Sequence, residues 1–146
     1  MTLDDWLGNR WLKEHRTSIQ EIRNLLSAVD GDLVDAGKDL SPDWRFVIAY
    51  NAALRLCSVL LAASGLHAER SQKHYRTIMA MPLILGSEME ELSVYLDKCR
   101  IRRSEITYEA VGKVSVAEAE ELASEVKQLR EHVKEWLASE HPELTP

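Results

Sequence analysis

The stretch SEMEELSVYLDKCRIRRSEITY, Ser87 to Tyr108, decides how the rest of the chain is read. Its apolar positions fall at Met89, Leu92, Leu96, Cys99 and Ile106. Steps of three and four residues place them on one stripe of an α-helix, and that stripe seeks partner helices. The same spacing calls for an apolar residue at position 103, where the chain has Arg103. Lys98, Arg100 and Arg102 stand close by. A cation on an inward stripe is expensive unless it is paired, opens to a cleft, or sits at an interface. Conflict between a local pattern and burial marks the place to look for a functional site.

Working outward, the flanking segments carry the same helical signature. Thr2 and Asp5, Thr17 and Gln20, Ser87 and Glu90, and Ser115 and Glu118 each have the spacing of a helix-start capping box. Ser41-Pro42 starts a helix that is apolar nearly all round until Gly65, the composition of a central bundle helix. Asn51 and Arg55 interrupt its apolar run, too polar a break for a membrane span. With Ser58 they form a narrow polar stripe, read either as the helix's wet edge or as a face turned toward the Arg103 cleft. Ile19 to Val34 and Ala119 to Trp136 supply two further apolar seams. Leu66 to Arg70 reads as a loop, and a short helix holding Tyr75, Ile78 and Met79 ends or kinks at Pro82. Nothing alternates with period two, so no strand is expected. The predicted fold is all-α: one domain over 1–146, an up-and-down bundle of four long helices plus two short ones. The N-terminal short helix and the tail 141–146 are expected to be peripheral.

Composition narrows the function. The chain has 146 residues, 29% of them charged, with a net charge of −6. An acidic balance argues against a general nucleic-acid coat protein and leaves room for a local basic site. Cys57 and Cys99 lie among apolar residues and read as reduced, buried thiols. With no leader-like opening segment, the expected location is cytoplasmic. No metal or cofactor is expected. No Glu is followed three residues on by His, and neither a paired-cysteine zinc spacing nor a phosphate loop occurs. The five histidines are scattered and read as surface residues. His74, beside Tyr75 at the start of a short helix, has the most telling position.

The segment Lys98 to Glu121 joins a helix ending in a basic cluster to Tyr108, Gly112 and a capped Ala/Glu/Leu-rich helix. Before it come DWRFVIAYNAALRLCSVLLAASG at Asp43 to Gly65 and HYRTI at His74 to Ile78. This ordered set, from about Ile19 to Leu137, resembles small stand-alone prokaryotic proteins of the HEPN superfamily. The resemblance implies a helical bundle, a homodimer, and metal-independent ribonuclease chemistry in many members. Its hallmark is an Arg followed by a polar residue and, about five positions on, a His. Arg103 and Ser104 match the start, whereas Tyr108 stands where the His would be. Tyrosine, with a pKa near 10, is a poor general base but can hydrogen-bond phosphate or stack on a base. The residues therefore suit binding better than cleavage. The expected catalytic residues are Arg103 and Tyr108, those of a degenerate or weak metal-independent ribonuclease, with Arg100, Arg102, Arg103, Ser104, Asn51 and Arg55 binding RNA or a nucleotide in a basic cleft. The alternatives are a non-catalytic helical dimerisation module and a ribonuclease toxin held by a cognate antitoxin-like partner.

Overall fold

The structure, a computed structural model, describes residues 1–108 and 112–146, the side chains of Thr107 and Tyr108 excepted. Four long helices form the bundle: α2 (Ile19–Ala36), α3 (Pro42–Ala63), α6 (Glu90–Tyr108) and α7 (Val116–Glu140). Shorter helices α1 (Leu3–Gly8), α4 (Lys73–Met79) and α5 (Met81–Leu85) fill one side. The all-α reading holds.

Helix α3 is the axle, packed against α2, α6 and α7. Its apolar circumference explains the position: Phe46, Ala49, Tyr50, Ala53, Leu56, Cys57 and Leu60 are all buried. The helix has the length and apolar composition of a membrane span, but 67% of that window lies inside the bundle. The Ser41 hydroxyl accepts from Trp44 N–H at its start. On α7, Ala119, Leu122, Val126, Leu129 and Val133 are buried in sequence. At the last step Leu137 goes inward while Trp136 is half-buried, because a 3.6-residue helix drifts off a strict seven-residue repeat.

Where local signals competed, tertiary contacts moved the boundaries. The cap of α2 is Ser18, one residue later than the sequence suggests, because the Thr17 hydroxyl is engaged by the Glu21 carboxylate at 2.6 Å. The short helix α4 does end before Pro82, at Met79, and Pro82 itself lies in the first turn of the next helix, α5, where a missing N–H does no harm. The Ser87 segment opens as a 3-10 turn without a side-chain cap, and the regular helix begins at Glu90.

Two short strands correct the strand-free expectation. β1 (Leu12–Glu14) pairs antiparallel with β2 (Leu66–Ala68), in the register Leu12 to Ala68 and Glu14 to Leu66. Three residues are too few to show an alternation. They are held by a second apolar cluster of Trp6, Leu12, Leu61, Leu66, Ala68 and Ala80. Helix α1 is thereby anchored through Trp6. The tail also folds back as a 3-10 turn, with Leu144 against the main core.

The described part of the α6–α7 connection is tied to the start of α3. Asp43, 6% exposed, accepts from Gly112 N–H at 2.5 Å and Val114 N–H at 3.1 Å. Gly112 has φ +85°, a backbone state open to glycine at little steric cost.

A candidate anion-binding cleft

Strand β2 delivers the chain to a loop and then to α4, which packs alongside α6. Between them opens a cleft of ≈ 740 Å³, lined by Tyr50, Arg70, Gln72, Lys73, His74, Tyr75, Arg100, Arg103 and Ser104. Three elements contribute: α3 through Tyr50, the entry to α4 through residues 70–75, and the C-terminal half of α6. Four cations converge, and no carboxylate lies among the described lining residues, on a chain whose net charge is −6.

Arg103 takes the seam position that the α6 pattern assigns it. Leu96 is fully buried and Cys99 nearly so, while Arg103 is half-buried at the cleft, its guanidinium carbon 5.8 Å from the centre of the Tyr50 ring. The apolar stripe thus ends at a cleft wall, where an arginine can pack its stem without its head entering a sealed core. One turn earlier, Arg100 donates to Asp97 at 2.8 Å and lies 5.7 Å from the centre of the Tyr75 ring. Gln72 adopts left-handed backbone, φ 55°, as the chain turns into α4. That turn brings Lys73, His74 and Tyr75 to the cleft.

Two groups here are perturbed. His74 keeps an exposed edge, yet partial loss of water and the Arg103, Lys73 and Arg100 cations lower its pKa below the ordinary 6.5. It is a neutral imidazole at neutral pH. Tyr50 is fully buried, and burial raises its hydroxyl pKa to about 12 despite the nearby Arg100 and Arg103. The thiols are raised as well, Cys57 to about 12 and Cys99 to about 11, by burial in the core, and are unreactive there.

The sequence-derived site is only partly assembled. Arg100, Arg103 and Ser104 share the cleft. Arg102, expected beside them, faces the opposite way: it donates to the Lys113 carbonyl and pairs with Glu118 at 3.0 Å. One residue along a helix is a rotation of about 100°, so neighbours in sequence part company. Arg55 pairs with Asp32 on α2, and Asn51 is half-buried outside the described cleft lining. The polar stripe on α3 is therefore a wet edge toward α2, and Tyr50 is the α3 residue that reaches the cleft. The Tyr108 side chain and Glu109 lie outside the described residues. Sequence reasoning missed Tyr50, Arg70 and Lys73. The run Arg70 to Arg76, with three cations, a His and a Tyr in seven positions, was the available signal for the loop.

Among the described residues, no group of three or more His, Cys, Asp or Glu side chains converges as a metal set. Comparison with protein-family models, curated proteins and solved structures gives no match to this chain. The chemistry of the cleft has to be read from its own residues.

Proposed function

We propose that this chain is a HEPN-like helical domain that binds RNA or a nucleotide through the basic cleft. The carrying observation is the convergence of Arg70, Lys73, Arg100 and Arg103 with two tyrosines in one cleft of an acidic protein. Guanidinium and ammonium groups meet phosphate oxygens, and Tyr75 offers a face for a base. The homodimer belongs to the same reading. The outer face of α6 exposes Val94 and Ile101, two turns apart, and a two-fold contact there would bring two copies of the helix together. The test is binding of short single-stranded RNA across a salt series. Three or four phosphate contacts give a log–log slope of about −2 to −3, at roughly −0.7 per contact. Absent binding, or affinity indifferent to salt, overturns the reading.

One observation favours a second reading, cleavage without a metal. His74, contributed by α4, supplies a neutral imidazole in the cleft that holds Arg103. In that reaction His74 takes the proton of a ribose 2′-hydroxyl as the 2′-oxygen attacks phosphorus. Arg103 steadies the charge gathering on the phosphoryl oxygens. The bond from phosphorus to the 5′-oxygen breaks, and that oxygen takes its proton from the imidazolium. The products are a 2′,3′-cyclic phosphate and a 5′-hydroxyl. His74→Gln would abolish such cleavage and spare binding; intact RNA after prolonged incubation with the wild-type chain dismisses it.

A further inference from the structure

Lys73 belongs to two hollows. On one side it lines the basic cleft. On the other it lines a second pocket of ≈ 430 Å³, formed by residues of α2, α3, α4 and β2. That volume falls in the range of about 300 to 1,000 Å³ in which small molecules bind. The pocket differs from the cleft in character. Its floor is apolar, made by Leu25, Leu61 and Leu66, the last two buried. The one carboxylate among its described lining residues, Glu21, is already engaged by the Thr17 hydroxyl at 2.6 Å and by His15 Nε2 at 2.7 Å.

Thr77, on α4, is the group that points to a ligand. It is 4% exposed and lines the pocket. A helical hydroxyl commonly bonds back to the carbonyl four residues earlier, as Ser58 does to Leu54 at 3.0 Å. The Thr77 hydroxyl has no hydrogen-bond partner among the described residues, and unlike the sealed Tyr50 hydroxyl it keeps solvent-accessible surface. A nearly buried polar group without a partner calls for an explanation, and an accessible one can be met from the pocket.

We infer that this pocket is the base subsite of the nucleotide site: with phosphate in the basic cleft, the base lies against Leu25, Leu61 and Leu66, and its polar edge meets the Thr77 hydroxyl. This deepens the binding reading above and rests on it. A nucleobase is flat, apolar on its faces and polar at its edge, which matches an apolar floor with a hydroxyl at its margin. Charge points the same way. An anionic head in this pocket would meet Glu21 with like charge, whereas a base is neutral and leaves its phosphate on the far side of Lys73. Tyr75 is the competing seat, but it stands within the cleft among the cations and offers a ring without an apolar enclosure. In a longer RNA it takes the neighbouring base.

The test is calorimetric titration of the whole chain with adenosine monophosphate and with ribose 5-phosphate, which keeps the sugar and phosphate and lacks the base. Adenosine monophosphate should bind about tenfold tighter or more, the scale of one seated base. Intermolecular Overhauser contacts should join its base protons to the methyl groups of Leu25, Leu61 or Leu66. Thr77→Val exchanges the hydroxyl for a methyl of the same shape. It should weaken adenosine monophosphate binding about threefold to tenfold and leave ribose 5-phosphate binding unchanged. Equal affinity for the two compounds, or base protons that contact Tyr75 and not the leucines, overturns the inference and leaves the binding function standing. A folded Thr77→Val chain with wild-type affinity for adenosine monophosphate does the same. If RNA alone binds, the Overhauser contacts are sought with a short single-stranded RNA, and their absence overturns the inference. No binding of nucleotide or RNA removes both readings. The wild-type titrations need no variant, so poor folding of Thr77→Val does not shelter the idea.

Discussion

Arg103 shows how one side chain can break a pattern without breaking the fold. The seam of α6 runs inward through Leu96 and Cys99 and reaches the cleft wall one turn later. An apolar residue would fit that spot. Arg103→Leu should therefore leave the chain folded, with a single cooperative thermal transition. On the binding proposal phosphate raises the melting temperature of the wild type, and Arg103→Leu should erase that rise. Thermal unfolding with and without phosphate reads both effects. His74 provides a second residue-scale check. Its pKa is lowered in the fold, so the protonated form is disfavoured there and some stability is lost as pH falls through 6.5, the ordinary value. An imidazole followed by NMR should titrate below 6.5 in the ligand-free protein and shift upward when phosphate enters, because an anion beside it favours the cation. A titration at or above 6.5 without ligand would remove His74 from the cleft's charge environment.

At the scale of elements, two anchors dominate. The α7 seam is continuous and buried, and Leu129 at its middle is 1% exposed. Leu129→Ala should lower unfolding free energy by about 2 to 5 kcal/mol, measured by denaturant titration. The second anchor is Asp43, whose carboxylate accepts the Gly112 and Val114 N–H groups. Asp43→Ala leaves the buried Val114 N–H without its acceptor, while the exposed Gly112 can turn its N–H to water, and should cost about 1 to 3 kcal/mol. The loss should also appear as faster amide exchange at Val114. The capping boxes of α1 and α7 were legible because each is contained within four residues. The Ser18 cap was not, since the choice between Thr17 and Ser18 depends on what else engages Glu21. His15 Nε2 sits 2.7 Å from the same carboxylate, which helps hold its pKa below the ordinary 4.5 against the opposing pull of burial.

For the whole molecule, the proposed dimer makes the sharpest demand. Val94 is 47% exposed and Ile101 49%, both on the outer face of α6. A self-association that covers this face brings two basic clefts near each other, and their repulsion has to be offset by acids or a bound anion. Sedimentation should show a dimer that tightens with added phosphate. Ile101→Glu should shift it toward monomer while the circular dichroism stays helical. A wild-type chain that sediments as a monomer at all accessible concentrations would end the dimer reading. Phosphate binding by that monomer would still support the cleft.

The sequence by itself determined the four long helices, though not the short α5 (Met81–Leu85), because periodicity, caps and breakers act within a few residues of each other. It determined the central place of α3, since a helix apolar on all sides has nowhere else to go, and it pointed to Arg103 by a conflict visible in one stripe. Only the tertiary structure decided which residues share the cleft. Arg102 turns to Glu118 and Arg55 to Asp32, while Tyr50, Arg70, Lys73 and His74 arrive from two other segments. It also decided the β1–β2 pair, whose three-residue strands carry no periodic signal and are held by Trp6 and Leu61. The physical reason is range. Helix formation is a local contest of backbone preferences and apolar spacing, whereas a cleft is the meeting of surfaces distant in the chain. The angle at which α4 crosses α6 and the turn at Gln72 are set by packing that no short window of sequence contains.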